Sequence, residues 1–115
     1  MLRTERLETG SVTVLRLAGD IDEGGMNQLR MALMGCIEGQ RFNVVVNMTG
    51  VKFVSYMGVG VLVERLRQFR AYGGDMKLCG VNLYTQRLFR MVGISKVFEV
   101  CDSEGQAIQV YQEAA

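Results

Sequence analysis

The sequence predicts a small α/β domain: a mixed, mostly parallel central sheet with covering helices, in the order ββαβαβαβα. Three observations carry this reading. Residues 2–17 alternate apolar and polar side chains on either side of Thr9-Gly10-Ser11, the mark of two strands joined by a tight turn. Residues 42–48 form a continuous apolar run centred on Val44-Val45-Val46, as in a central strand covered on both faces. Between such runs lie longer segments whose apolar residues recur at helical spacing.

In chain order, Leu2 to Glu8 and Ser11 to Leu17 are the two strands of an edge hairpin. Gly19-Asp20-Ile21-Asp22 leads into a first helix, in which Met26, Leu29, Leu33, Cys36 and Ile37 face inward and Gly39 ends the periodicity. Phe42 to Met48 is the middle strand. A second helix starts at Ser55, which is available as N-cap; Gly58, Leu62, Arg65-Leu66 and Phe69 mark its stripe, Glu64, Arg67 and Arg70 its outer face, and Gly73-Gly74 its end. Met76 to Gly80 supplies a short strand. Tyr84 to Val92 is a short helix with Leu88, Met91 and Val92 inward, stopped by Gly93. Lys96 to Cys101 is the last strand, and Asp102-Ser103-Glu104 opens a closing helix that packs through Ala107, Ile108 and Tyr111. Right-handed crossovers lay helices that join parallel strands on a face of the sheet.

The totals narrow the functions. The 115 residues make one domain, 1–115, with one core and room for one site or one surface. Thirteen basic and 12 acidic residues leave a formal charge of +1, so no global field holds nucleic acid or an anionic membrane. No stretch of about 18 apolar residues occurs, and the start, MLRTERLE, lacks the apolar core of a secretion signal; a cytoplasmic protein without membrane insertion is expected. There is no histidine, which removes imidazole as base, proton shuttle or metal ligand. Cys36, Cys79 and Cys101 are odd in number and far apart, and read as buried free thiols. No cofactor or metal is expected, and an enzyme is the least favoured class.

The junction from the middle strand to the second helix is the most informative stretch. A buried strand runs into a helix N-terminus, where unpaired N–H groups and the helix dipole favour an anionic group. Gly58 and Gly60 alone are weak evidence for phosphate binding, since a dinucleotide fingerprint needs a further glycine at Val63 and an acidic residue near the end of the next strand. Glycine there also serves close packing on the sheet. Asp20 and Asp22 read as a solvated turn and helix cap rather than a catalytic or cation-binding pair. Arg65, Arg67 and Arg70, with Arg87 and Arg90, are either a basic strip for an acidic partner or the solvated faces of two helices. Tyr56, Met57 and Val59 suggest a protein-binding surface, because exposed apolar side chains at a helix start favour a covering partner.

Several segments together resemble the STAS domain of bacterial anti-sigma factor antagonists over nearly the whole chain. They are LRLAGDID (15–22), VVVNMTGVKF (44–53), VSYMGVG (54–60), GGDMKLCGV (73–81) and LFRMVGISKVFEV (88–100). In that family the motif Asp-Ser-Ser/Thr-Gly-Leu-Gly opens the helix and carries a phosphorylatable serine. Gly58 and Gly60 fall in register, but Ser55 stands at the aspartate position, Tyr56 at the phospho-acceptor position and Met57 at the next hydroxyl position. Asn47 replaces the usual aspartate of the central strand. The resemblance implies a non-enzymatic domain that captures a GHKL-type kinase acting as anti-sigma factor, with a PP2C-type phosphatase resetting the cycle, and it leaves room for a homodimer. It points to Val54, Ser55, Tyr56, Met57, Gly58, Val59, Gly60 and Arg67 as the docking surface. A tyrosine hydroxyl lies roughly a ring's width beyond that of serine, which disfavours Tyr56 as acceptor for a serine kinase. Ser55 is the alternative acceptor, or a plain N-cap. The rival reading is a STAS accessory subunit of an ABC-type lipid or solute transporter, or a scaffold of a sensory complex. Small-molecule binding at the sheet edge has little support, as no polar constellation converges there.

Overall fold

The computed structural model describes residues 1–114. It contains β1 (Arg3–Thr9), β2 (Val12–Ile21), α1 (Glu23–Glu38), β3 (Asn43–Val54), α2 (Tyr56–Ala71), β4 (Asp75–Cys79), α3 (Leu83–Met91), β5 (Val100–Cys101) and α4 (Glu104–Ala114). The ββαβαβαβα order is the one the periodicities predict. The strands lie side by side in sequence order; β1 is antiparallel to β2 and every other pair is parallel.

Each parallel step moves to the next neighbour in the same direction, so right-handed crossovers place the connecting helices on one face. The main core follows from this: Leu15, Val44, Val46 and Leu78 of the sheet meet Leu29 and Leu33 of α1, Leu62, Leu66 and Phe69 of α2 and Phe89 of α3. A smaller core on the opposite face joins Val12, Val14, Val45, Cys79 and Cys101 to Ala107 of α4. Val44, Val45 and Val46 are fully buried between the two layers, which is why that strand reads as unbroken apolar residues.

Two strands run further than their alternation suggests. β2 continues beyond Leu17 to Ile21, bending at Gly19 (φ +115°), with register shifts between Arg16 and Ala18 and between Gly19 and Ile21. β3 continues beyond Met48 to Val54, taking in Thr49-Gly50. Gly50 pairs with Ala18, and a Cβ at Gly50 would sit 2.7 Å from the carbonyl oxygen of Leu17; the close approach there needs glycine.

Later elements differ in detail. β5 is only Val100–Cys101, because residues 94–99 turn tightly to bring Phe98 onto Phe89, with ring centroids 5.4 Å apart. On α3, Met91 points outward and is 82% exposed, while Thr85 and Phe89 are the buried positions and Leu88 and Val92 are half-buried. A nine-residue helix closed by Val92 and the left-handed Gly93 has no further turn to bury Met91.

Candidate protein-docking site

At the C-terminal ends of the parallel strands, β3 passes into α2 through one residue. The Ser55 N–H donates to the carbonyl of Ile21, the last residue of β2, at 2.8 Å. The Ser55 hydroxyl caps α2 by accepting the Gly58 N–H at 3.0 Å. Gly58 lies against Ile21; a Cβ there would stand 2.7 Å from Ile21 Cγ2 and 3.2 Å from Ser55 Oγ. Gly60 has no such role, since a Cβ would meet nothing within 4 Å. Asp22 caps α1 in the same manner, accepting the Gly25 N–H at 2.8 Å, and Asp20 is exposed.

The surface that the turn presents is narrower than residues 54–60 suggest. Val54 is fully buried, Gly58 is buried, and Val59 is 4% exposed, because all three lie on the inner side of the junction. Tyr56 and Met57 are the exposed pair, at 71% and 68%. Tyr56 borders two open grooves. One, of ≈ 480 Å³, runs between α2 and the segment after α3, floored by Val59, Val63, Val92 and Ile94 and edged by Glu64 and Arg67. The other, of ≈ 600 Å³, lies against α1, where Glu23, Asn27 and Arg30 face Ser55 and Met57.

Phe53 and Tyr84 extend the apolar surface on the β4 side, stacked with centroids 6.1 Å apart and both exposed. The α3 start is held there by Asn82, which caps that helix through Thr85 N–H and donates to the carbonyl of Lys52 at 3.1 Å. Phe53 closes one of the segments that carry the family resemblance but was not among the expected docking residues, and Tyr84 lies outside those segments. The signal for Phe53 is its place beside Val54: with Val54 inward, the pleat turns Phe53 out. For Tyr84 it is Asn82, a capping residue that leaves the next side chains in an exposed first turn. The α1 wall is legible only once the chain is folded.

The basic strip does not form as a unit. Arg65 is buried, on the same side of α2 as Gly58, Leu62 and Phe69, with its NH1 bonded to Gln68 at 2.7 Å. Arg70 is bound away from the junction, to Asp75 and to the carbonyl of Val97, both at 3.0 Å. Arg67 alone of the α2 arginines edges the groove beside Tyr56.

Asn47 serves the opposite face of the sheet. Its Oδ1 accepts from Thr49 N–H and Oγ–H at 3.0 and 2.7 Å, and its Nδ2 donates to Glu104 Oε1 at 3.0 Å. Glu104 also receives a two-point contact from Arg16, each arm 2.9 Å, and Arg16 reaches Glu5 at 3.3 Å. An amide at 47 is what this arrangement requires, because a carboxylate would confront that of Glu104. The Arg16 contacts, and then the Asn47 donor, hold the Glu104 carboxyl below the ordinary glutamate range. Its stabilising effect is therefore complete above pH about 4.3 and fades as the pH falls through the lowered value. Asn47→Asp is expected to cost about 0.5–1 kcal/mol at pH 7, a screened like-charge pair, and the loss is expected to vanish below about pH 4 as the introduced carboxyl, held up by the Glu104 charge, protonates. Urea unfolding of both proteins at the two pH values checks this; a loss that persists at low pH would mean geometry rather than charge is responsible.

All three cysteines are free and buried, and burial raises each thiol, Cys79 to about 11, so they stay protonated. Among the described residues no group of three Cys, Asp or Glu side chains gathers to hold a metal ion, and no helix is long and apolar enough to cross a membrane.

The STAS domain family model matches residues 3–107. The chain belongs to the STAS family. A relative named anti-sigma F factor antagonist, from Paenibacillus polymyxa, is 28% identical over 108 residues, covering 93% of this chain and 92% of that protein. An anti-sigma factor antagonist from Mycobacterium paratuberculosis superposes with a TM-score of 0.85 at 18% identity, over 96% of this chain and 93% of that one. The Bacillus cell fate determinant SpoIIAA in its phosphorylated form gives 0.73 at 22% identity, over 96% and 99%. The five-stranded sheet with one antiparallel pair is thus a STAS fold, and the domain is anti-sigma factor antagonist-like. Within that STAS frame Tyr56 opens α2 and borders the two grooves.

Proposed function

We propose that this STAS domain is a non-enzymatic regulator that binds a GHKL-type kinase acting as anti-sigma factor, and that the phosphorylation step of partner switching has been lost. The observation that carries the reading is the state of the junction. Tyr56, at the family's phospho-acceptor position, stands as an exposed aromatic between two grooves, while the neighbouring Ser55 hydroxyl is occupied as the α2 cap. The first turn of α2 contains no acidic side chain, so its positive end is left for a partner's anionic group. Tyr56 and Met57 supply the apolar anchor, and Arg67 and Arg30 give charged rims to the two grooves.

A kinase built to phosphorylate a serine here would meet a phenol displaced by about the width of a ring, so transfer is disfavoured and the complex is constitutive. The test is incubation with the GHKL-type kinase and ATP, followed by intact-mass measurement and gel filtration. A stable complex with neither Ser55 nor Tyr56 modified is expected. Phosphate uptake that Ser55→Ala abolishes would return the switch to the protein; failure to form any complex would overturn the partner assignment.

A further inference from the structure

The two edges of the sheet are built differently. β5, at one edge, is two residues long, a length that offers no template for strand addition. β1, at the other, pairs with β2 over seven unbroken positions from Arg3↔Ala18 to Thr9↔Val12, with no bulge, and the chain contains no proline to block it. All seven β1 residues are exposed, although Arg6 reaches over Gly35 at the end of α1. A long, regular edge of this kind is held in check by charge alone, here Arg3, Glu5, Arg6 and Glu8.

That charge pattern is self-complementary. Two antiparallel copies of one strand, related by a two-fold axis through the sheet, must pair about a residue that faces its own twin. Centring on Arg6, Glu5 or Glu8 sets identical charges opposite each other. Centring on Thr4 leaves only Arg3 and Glu5 to pair within the strand. Centring on Leu7 sets Arg6 opposite Glu8 twice, Glu5 opposite Thr9, and Leu7 against Leu7. Leu7 is the one large apolar side chain of the strand and is 37% exposed, next to Val14. Arg6 and Glu8 already lie 3.5 Å apart on one face of β1, and Glu8, which also reaches Arg41 at 3.3 Å, would exchange its Arg6 contact for the one across the new ladder.

We propose that β1 is a homodimer interface, joining two copies about Leu7 into one continuous ten-stranded sheet, five strands from each copy. The charges that repel arbitrary strands are the ones that select a second copy. This does not depend on what docks at Tyr56. The two-fold axis reverses strand direction, so the two α2 N-termini face opposite ends of the sheet and leave both docking surfaces open.

Sedimentation equilibrium over concentrations from about 1 µM to about 1 mM tests the interface. The wild-type chain is expected to dimerise within that range, and Arg6→Glu or Glu8→Arg alone to weaken the dimer about tenfold or more, since each sets like charges opposite twice. An equimolar mixture of the two variants is expected to associate again, because each then offers the other only opposite charges. Both side chains are exposed, at 36% and 51%, and melting temperatures serve as the control for folding. A wild-type monomer throughout, a dimer that neither substitution weakens, or a mixture that stays monomeric would each overturn the proposal.

Discussion

Gly80→Ala is expected to lower the free energy of unfolding by about 3 kcal/mol, a large share of a small domain's stability. Gly80 closes β4 with φ at +68°, where a side chain costs roughly 1–2 kcal/mol. Its missing Cβ would also stand 2.2 Å from Thr49 Oγ1, 2.7 Å from Thr49 N and 2.9 Å from Thr49 Cα. Two of those atoms are backbone in the middle of β3, and the Thr49 hydroxyl and N–H are both held by Asn47. Relief therefore demands a shift of the sheet itself, at roughly 1–3 kcal/mol for overpacking. Gly60→Ala is the control: its Cβ meets nothing, and the helix gains up to about 1 kcal/mol in propensity. Urea midpoints that moved equally for the two would refute this account of Gly80.

Tyr56→Glu is expected to weaken partner binding at least about 100-fold, or ~3 kcal/mol, while leaving the fold intact. Tyr56 is 71% exposed at the first position of α2, so its removal takes no core contact away. A carboxylate at that position favours the helix dipole, and the melting temperature should hold or rise slightly. For the complex the exchange is adverse twice over: the aromatic anchor is lost, and a charge stands between two grooves floored by Val59, Val63 and Met26. Calorimetric titration against the kinase reads the effect. Unchanged affinity with an unchanged melting curve would move the docking surface away from α2.

The elements were legible where a physical rule is local. Alternation marked β1 and β2, continuous β-branched residues marked the buried β3, and Asp22 and Ser55 marked their helices as caps do. What was not legible depends on the folded neighbour. Thr49-Gly50 lies beyond the apolar run that marks β3 and joins the strand only with Ala18 beside it, whereas Arg65, which the helical spacing puts on the stripe of α2, is buried there. Met91 follows the helical period inward, yet α3 ends before anything covers it. At the proposed site, Ser55 read as a cap caps α2, whereas Tyr84, stacked on Phe53, and the wall of α1 come from elements distant in sequence. Asn47 is the instructive case: the resemblance marks it as a departure from the family's aspartate, and only Glu104, 57 residues away, shows why an amide belongs there.

The seating of the proposed docking turn on β2 has a kinetic consequence. Ser55 is bonded to Ile21 and Gly58 rests on the same residue, so no loose segment has to be ordered when a partner arrives. Association then resembles the meeting of two rigid patches, with a rate on the order of 10⁵–10⁷ M⁻¹s⁻¹ set by diffusion and orientation, and modest tuning by salt through Arg30 and Arg67. Sequence changes around Tyr56 act on how long the complex lasts rather than on how quickly it forms. On the proposed docking role, the duration of the output would be set by residence time.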